Sequence, residues 1–176
     1  GNLLETKKFL LIASNPDEYE KNDLFLQMDI KALELSGLSF EEYTVLDGRN
    51  SSAVEVVLNN ADLIFLCGGN TLIQNKFFNS INLKKYLNNL DSVVVGISAG
   101  SINSAKNVFN SPESVEDLNN SPYLQGLELT GINVEPHFDV NNMTDESKKI
   151  QMKAILSESN NRVLYGLSDG AYIIKN

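Results

Sequence analysis

Ser98 lies in a five-residue pattern that activates the serine hydroxyl in several classes of hydrolase. The pattern, Gly96-Ile97-Ser98-Ala99-Gly100, follows the apolar run Val93-Val94-Val95. Between a strand and a helix, such a serine occupies a tight turn, and the two glycines avoid collisions with the neighbouring strand and helix. The turn aims the hydroxyl at the start of the helix, where N–H groups stabilise an oxyanion. The pattern predicts a nucleophile, and the alternative is a serine that only caps the helix.

His137 is the one histidine in the chain, so it is the one imidazole that could accept the proton of a serine. It follows Val134-Glu135-Pro136, which places it at the end of a predicted strand. A lone histidine is often structural, but the serine pattern favours a general base here. The carboxylate that would orient the imidazole is left open by the sequence. The candidates are Asp169 and Glu113, followed by Glu116, Asp117 and Asp139.

A second glycine cluster, Cys67-Gly68-Gly69-Asn70-Thr71, ends the predicted strand that precedes the strand of Ser98. Parallel strands end at the same edge of a sheet, so this cluster and Ser98 are expected at one edge. We predict an oxyanion hole formed by the N–H groups of Gly69 and Ala99. The alternative is a tight turn in which Asn70 caps the following helix. A phosphate-binding loop is disfavoured because neither of its usual glycine patterns is present.

The elements that must position these residues are short apolar runs alternating with longer amphipathic segments. Such continuous runs are typical of a parallel sheet covered by helices on both faces. The sequence therefore predicts a single three-layer α/β domain over residues 1–176, with a mostly parallel sheet flanked by helices. Strands are predicted at 9–13, 43–46, 63–67 and 92–97, and helices at about 23–35, after Ser51 and Ser52, between 70 and 90, and from Ser98 onward. In the first helix, Leu24, Met28, Ile30, Ala32 and Leu35 recur at helical spacing.

The second part of the chain differs from the first in amino-acid composition. Residues 107–125 are rich in Asn, Ser, Pro and acidic residues, which predicts a long loop. Regular structure is expected to resume with a strand at about 132–134 and a helix at about 144–156. A final pair of strands is predicted at 162–164 and 171–174.

Composition limits the classes of function. The net charge of −9 disfavours binding to nucleic acids or anionic membranes. No apolar window is long enough to span a membrane. The single cysteine, Cys67, excludes an internal disulfide and favours a reducing cytoplasm. One cysteine and one histidine cannot form the usual zinc patterns, so neither a metal nor a cofactor is expected.

Four motifs in register resemble the peptidase E and cyanophycinase family of serine peptidases. They are Gly68-Gly69-Asn70-Thr71, Gly96-Ile97-Ser98-Ala99-Gly100, Pro136-His137-Phe138 and Gly166-Leu167-Ser168-Asp169-Gly170, within a resemblance from about Lys7 to Ile174. The resemblance implies a fold like that of class I glutamine amidotransferases, with Ser98 as nucleophile and His137 as base. Asp169 falls where the family carries an acid, and Glu113 falls near another acid of the family. We favour Asp169 and keep Glu113 as the second candidate.

Two departures from the family pattern affect the expected activity. Relative to the family, the chain would lack a first strand and helix and the C-terminal end. Aspartyl dipeptidases of the family bind the substrate's aspartate through an arginine, whereas Lys148 and Lys149 stand near that position here. A lysine lacks the bidentate fork of arginine, so aspartyl specificity is not expected, although Lys148 and Asn70 remain candidate substrate contacts.

The expected function is hydrolysis of small peptides or isopeptides without a cofactor. An esterase or amidase is the alternative within the same class. A non-catalytic domain of the same fold that binds a small molecule or a partner is the alternative outside it. A homo-oligomer, in which another subunit supplies an edge strand, is also compatible with the sequence.

Overall fold

The computed structural model describes residues 8–88, 90–112, 114–115, 117–119, 121–139 and 146–175. The chain divides into two compact units, Gly1–Gly100 and Ser101–Asn176. The Ser98 turn belongs to the first unit and His137 belongs to the second.

The first unit contains a four-stranded parallel sheet in the order β2-β1-β3-β4. All four strands predicted from apolar runs are present, and each boundary lies within two residues of its prediction. The strands are β1 (Lys8–Ile12), β2 (Glu42–Leu46), β3 (Leu63–Leu66) and β4 (Val93–Gly96). The chain that follows β1 runs to β2 on one side, and the chain that follows β3 runs to β4 on the other, so the two connections leave the sheet edge in opposite directions. Such a switch point opens a crevice in which α/β proteins commonly bind ligands.

Helices flank this sheet. Every residue of β1 is buried, which requires cover on both faces of the strand because successive side chains point to opposite faces. The α/β architecture with a mostly parallel sheet flanked by helices is therefore as predicted. The helices are α1 (Tyr19–Leu35), α2 (Val54–Leu58), α3 (Thr71–Ser80), α4 (Leu83–Leu87) and α5 (Ala99–Asn103).

Two details of the helices differ from the prediction. The inward positions of α1 are Asn22 and Leu33, with Phe25 and Leu26 packed against the core. Three of the apolar residues predicted at helical spacing are instead exposed, namely Leu24, Met28 and Leu35. Apolar residues occur on both sides of this helix, so periodicity alone does not identify the buried side. The second difference is that Ser51 and Ser52 do not cap α2 but lie in a preceding 3-10 turn, Ser51–Ala53.

An aromatic cluster forms the core on one face of the sheet. The Phe9 ring lies 4.9 Å from the Phe65 ring, edge to face, and 5.7 Å from the Phe40 ring. Such pairs contribute beyond the area that they bury, by about 0.5–1.5 kcal/mol each. The cluster fixes β1 against β3, the two strands whose carboxyl ends lead to Ser14 and to the Gly68-Gly69 pair.

A buried polar network holds the segment that follows β1. The carboxylate of Asp47 is fully buried and accepts hydrogen bonds from the Arg49 guanidinium and from Asn22 Nδ2. Asn22 also donates to the Asn15 carbonyl at 3.0 Å. Because a buried charge is tolerated only when it is paired and hydrogen-bonded, this network fixes the path of the chain just after Ser14.

Within its described residues, the second unit contains two small sheets and one long helix. Strands β5 (Asn107–Phe109) and β6 (Tyr123–Gln125) pair antiparallel, and β7 (Asn133–Pro136) and β8 (Leu164–Leu167) pair parallel. Helix α6 spans Glu146–Glu158.

The long loop predicted at 107–125 is wrong, since β5 and β6 lie within it. Each strand has three residues, too few to show an alternating pattern among polar neighbours. The two strands are formed by their antiparallel pairing, with Val108 0% exposed and Phe109 4% exposed on β5.

The predicted final pair of strands is also incorrect. One strand is present, β8, and residues 171–175 are exposed and form no strand in the structure. Their apolar composition is typical of a strand, but a strand also requires a neighbouring strand to accept and donate backbone hydrogen bonds. Among the described residues, no helix has the length and apolarity needed to cross a membrane.

Candidate active site

Ser98 occupies a strained turn between β4 and α5. Its φ is +48°, in the left-handed region that few residues other than glycine adopt. A backbone of this kind costs about 1–3 kcal/mol and persists only where the surrounding structure imposes it. Gly100 explains how it is imposed: a Cβ there would stand 2.7 Å from Leu66 Cβ, so α5 can approach β3 only with glycine at this position.

The Gly68-Gly69 pair lies directly beside Ser98. A Cβ added to Gly68 would stand 3.4 Å from Ser98 Cβ, which is van der Waals contact. Gly69 has φ of +145°, a conformation that side chains rarely tolerate. Ala99, the other residue predicted for the oxyanion hole, is the buried first residue of α5. The structure therefore brings together Ser98 and both predicted donors within the first unit.

Asn70 performs the helix-capping role that was considered as the alternative to an oxyanion hole in this glycine cluster. Its Oδ1 accepts a hydrogen bond from the backbone N–H of Ile73 at 3.0 Å, at the start of α3. The residue is exposed, and a substrate contact by Asn70 stays a prediction.

His137 and Asp169 form a direct pair in the second unit. His137 Nδ1 lies 2.6 Å from Asp169 Oδ1. The two residues follow adjacent parallel strands, β7 and β8, and the Phe138 N–H donates to the Leu167 carbonyl at 3.0 Å. His137 also has a left-handed backbone, with φ of +57°. Their side chains are 60% and 83% exposed.

This pairing defines what the imidazole can do. A carboxylate that accepts the Nδ1 proton leaves Nε2 as the ring nitrogen able to accept a proton from a nucleophile. An exposed pair contributes little to stability, so orientation of the ring is its main physical consequence.

The other carboxylates considered for this position have different surroundings. Glu113 and Glu116 lie outside the described residues. Asp117 accepts hydrogen bonds at Oδ2 from the Ser114 N–H at 2.9 Å and from its hydroxyl at 2.8 Å, within a local turn. Asp139 lines the same small cleft as His137.

That cleft, of about 30 Å³, lies between the end of β7 and helix α6. Lys148 is half-buried at its edge, and its Nζ donates to Gln151 Oε1 at 3.4 Å. Deeper in the cleft, the buried Glu135 accepts hydrogen bonds at Oε1 from Ser111 Oγ and Gln151 Nε2, each at 2.9 Å. Sequence reasoning missed Glu135, although a carboxylate within the apolar run 132–136 is a signal that could have drawn attention.

Cys67 is unsuited to act as a nucleophile. Burial raises the pKa of its thiol, and the charge of Asp29 raises it further. A thiol reacts as the thiolate, so a raised pKa lowers its reactivity at neutral pH. As for metals, no group of three or more His, Cys, Asp or Glu residues within the described part of the chain could hold an ion.

A parallel α/β sheet with a strained serine between a strand and a helix is the arrangement of one broad class of hydrolases. Comparison with known proteins gives the family. The sequence profile of peptidase family S51 matches residues 9–176, and the chain belongs to that family. It is thus a member of a family of serine-type peptidases that includes peptidase E.

A solved structure supports the fold. The chain is similar to the "Putative Peptidase E Protein from Listeria monocytogenes EGD-e", with a TM-score of 0.65 and 22% sequence identity. The similarity covers 96% of this chain and 81% of that one. At this identity it concerns the fold alone. A comparison with curated proteins finds no match.

Proposed function

We propose that this protein is a serine peptidase that hydrolyses small peptides or isopeptides through Ser98, His137 and Asp169. Ser98 Oγ attacks the scissile carbonyl while His137 Nε2 accepts the hydroxyl proton. The protonated imidazole then gives that proton to the departing amine. Water, activated by the same histidine, releases the acyl group from Ser98. This chemistry uses neither a metal nor an organic cofactor.

The observation that carries the proposal is the left-handed backbone of Ser98 beside the Gly68-Gly69 pair. A strained backbone at a serine costs free energy of folding, and strain of this kind clusters at active sites. The turn therefore favours a functional role for Ser98. In this turn, backbone N–H groups of Gly69 and Ala99 are proposed to bind the oxyanion that forms from the carbonyl oxygen.

The His137–Asp169 pair supports the assignment of base and orienting acid. With His137 Nδ1 2.6 Å from Asp169 Oδ1, an ionised Asp169 would favour the tautomer that carries its proton on Nδ1, as a general base requires. Glu113 remains the second candidate for the acid, because the family pattern places an acid near it.

The proposed substrate contacts are Asn70 and Lys148. Lys148 lines the cleft beside His137, where its ammonium group could attract a carboxylate of the substrate. The same cleft also contains the carboxylates of Glu135 and Asp139, so we do not expect a strong preference for aspartyl peptides.

A substrate panel with a serine variant tests the proposal. Dipeptides and isopeptides with acidic, neutral and basic residues are incubated with the parent protein and with Ser98→Ala, and products are quantified by mass. The proposal predicts turnover of at least one peptide and its loss in Ser98→Ala. Ser36→Ala is the matched control, because it removes an exposed hydroxyl that donates to the Ala32 carbonyl in α1.

Three results would contradict the proposal. Full turnover in Ser98→Ala excludes this nucleophile. Cleavage of short acyl esters with no cleavage of any peptide favours an esterase. Retained binding of a peptide without turnover in the parent protein favours a non-catalytic binding domain.

A further inference from the structure

Gln74 is a completely buried polar side chain to which the proposed mechanism gives no role. It lies in the first turn of α3 and is 0% exposed. Its Nε2 donates a hydrogen bond to the carbonyl of Cys67 at 2.6 Å. Cys67 immediately precedes the Gly68-Gly69 pair, so the side chain reaches back from the helix to the loop that connects β3 to α3.

This hydrogen bond fixes the direction of a peptide plane. The Cys67 carbonyl and the Gly68 N–H belong to the same planar trans peptide, in which the two groups point in opposite directions. Holding the carbonyl therefore sets the direction of the Gly68 N–H and anchors the chain one peptide before the Gly69 N–H, the proposed oxyanion donor. Gly68 is the residue whose Cα faces Ser98 Cβ.

The other end of the glycine pair is held by Ser14. This residue follows β1 and is 7% exposed. Its Oγ donates to the Asn70 carbonyl at 3.4 Å. A Cβ on Gly69 would stand 2.8 Å from Ser14 Cβ, so the serine side chain fills the space under Gly69.

Two consecutive glycines need such restraints more than any other dipeptide. Glycine has the widest choice of backbone conformations, and an untethered pair would sample many of them. An oxyanion donor is effective only when its direction is set before the reaction. A misplacement of about 1 Å can lower a rate on the order of 100-fold.

We propose that Gln74 is a positioning residue for catalysis, whose amide holds the Gly68-Gly69 backbone in the direction needed to bind an oxyanion next to Ser98. Ser14 is the second restraint on the same segment. The inference rests on the proposed function, since it presumes that Ser98 is the nucleophile.

The test compares reaction rates in variants of the full chain. Gln74→Met keeps the length of the side chain and removes its donor, and Ser14→Ala removes the second restraint with a smaller change. The matched control is Phe77→Leu, which loosens the packing of the same helix at a residue 5% exposed. For each protein, we would measure the rate of Ser98 modification by a fluorophosphonate, kcat and KM on the best peptide, and the melting temperature.

We expect Gln74→Met to lower both kcat and the rate of phosphonylation by roughly 10- to 100-fold, somewhat less than the loss of an oxyanion donor itself. KM should stay within about twofold, because the loop acts on the transition state rather than on binding. Phe77→Leu should have a lower melting temperature than the parent protein but the same kcat and the same rate of phosphonylation. Ser14→Ala should show a smaller loss in the same direction.

The outcomes separate the inference from the proposed function. A folded Gln74→Met that reacts as fast as the parent protein overturns the inference alone. Should Gln74→Met not fold, an unchanged rate in Ser14→Ala overturns it. A rate loss in Phe77→Leu equal to that in Gln74→Met also overturns it, because the effect then follows stability. If the parent protein is not modified at Ser98, the proposed function fails and the inference fails with it.

Discussion

Ser98 and His137 share an uncommon backbone: each has a positive φ at the end of a parallel strand. A backbone held in this way sets the direction of the Cα–Cβ bond before any substrate arrives, which would lower the entropy cost of reaching a reactive geometry. The same two residues carry the types required for nucleophilic catalysis. Backbone strain and the proposed chemistry therefore fall on the same two residues, and strained backbones are common at active sites.

Asp169→Asn should lower kcat by on the order of 10²- to 10⁴-fold. The amide keeps the shape of the side chain but offers Nδ1 a donor, which favours the wrong imidazole tautomer. Steady-state kinetics on the best peptide would measure the loss. The melting temperature should hardly change, because the pair is exposed.

Asp117→Asn is the control for this change, since Asp117 serves a local turn with Ser114. An equal loss of kcat in both variants, or no loss in Asp169→Asn, would show that Asp169 does not orient the base. Glu113 would then be the candidate for the orienting acid.

Cys67 should be unreactive and dispensable for turnover. Burial holds the pKa of its thiol above its ordinary value, so at pH 7 almost no thiolate is present. Incubation with iodoacetamide, followed by intact mass and activity, should give slow or no alkylation of the folded protein and no loss of turnover. Unfolding in urea should expose the thiol to rapid alkylation. Fast inactivation of the folded protein would contradict this reading of the site.

The residues proposed to react could be identified in the sequence because their types and neighbours carry a signal. Ser98 has flanking glycines, and His137 is the one histidine. The residues proposed to restrain the glycine pair carry no such signal. Gln74 donates a hydrogen bond to the carbonyl of a residue seven positions away, and Ser14 donates one to the carbonyl of Asn70, which follows a different strand. Both depend on tertiary structure, which no local pattern records.

At the scale of elements, the position of Ser98 depends on how closely α5 packs against β3. Gly100→Ala would place a Cβ 2.7 Å from Leu66 Cβ. Relief requires the helix to shift, so we expect destabilisation of about 1–3 kcal/mol. Urea denaturation would measure it, and activity should fall as the turn moves.

Gly131→Ala is the control for this prediction, because a Cβ there meets nothing within 4 Å. Comparable stability of the two variants would mean that the close approach of α5 is not what holds the turn.

Strand β6 and helix α6 are joined by a hydrogen bond that should disappear at alkaline pH. Tyr123 Oη donates to Glu158 Oε2 at 2.7 Å, and this bond is the main cause that raises the pKa of the tyrosine. Because the pKa of Tyr123 is higher in the folded than in the unfolded protein, its protonated hydroxyl stabilises the fold. This stabilisation is fully present below the unfolded pKa of about 10 and is lost as the pH rises through the folded pKa.

Tyr123→Phe should therefore be less stable than the parent protein at pH 8. The difference in the free energy of unfolding between the two proteins should be smaller at pH 11. Urea denaturation at both pH values measures the two free energies of unfolding. Tyr172→Phe, at a residue 78% exposed, is the control and should show no such convergence. A difference that stays constant with pH would exclude the bond as its source.

The accuracy of the predicted elements follows from their length and burial. Strands β1 to β4 are continuous apolar runs because both faces of the sheet are covered, and such runs are visible in the sequence. The three-residue strands β5 and β6 are formed by pairing rather than by propensity. Residues 171–174 show the reverse, an apolar segment that has no strand partner in the structure.

At the scale of the whole molecule, the family match runs through both compact units. Each unit supplies part of the proposed machinery: the nucleophile and oxyanion donors come from the first, and the base with its acid comes from the second. The net charge of −9 is unfavourable for binding nucleic acids.

The intact mass of the protein after incubation with a fluorophosphonate shows directly whether Ser98 is an activated nucleophile. Ser98→Ala and His137→Ala are the controls. We predict one adduct on the parent protein, located at Ser98 by peptide mapping, and none on either variant. An unmodified parent protein, or an adduct that persists in Ser98→Ala, would contradict it.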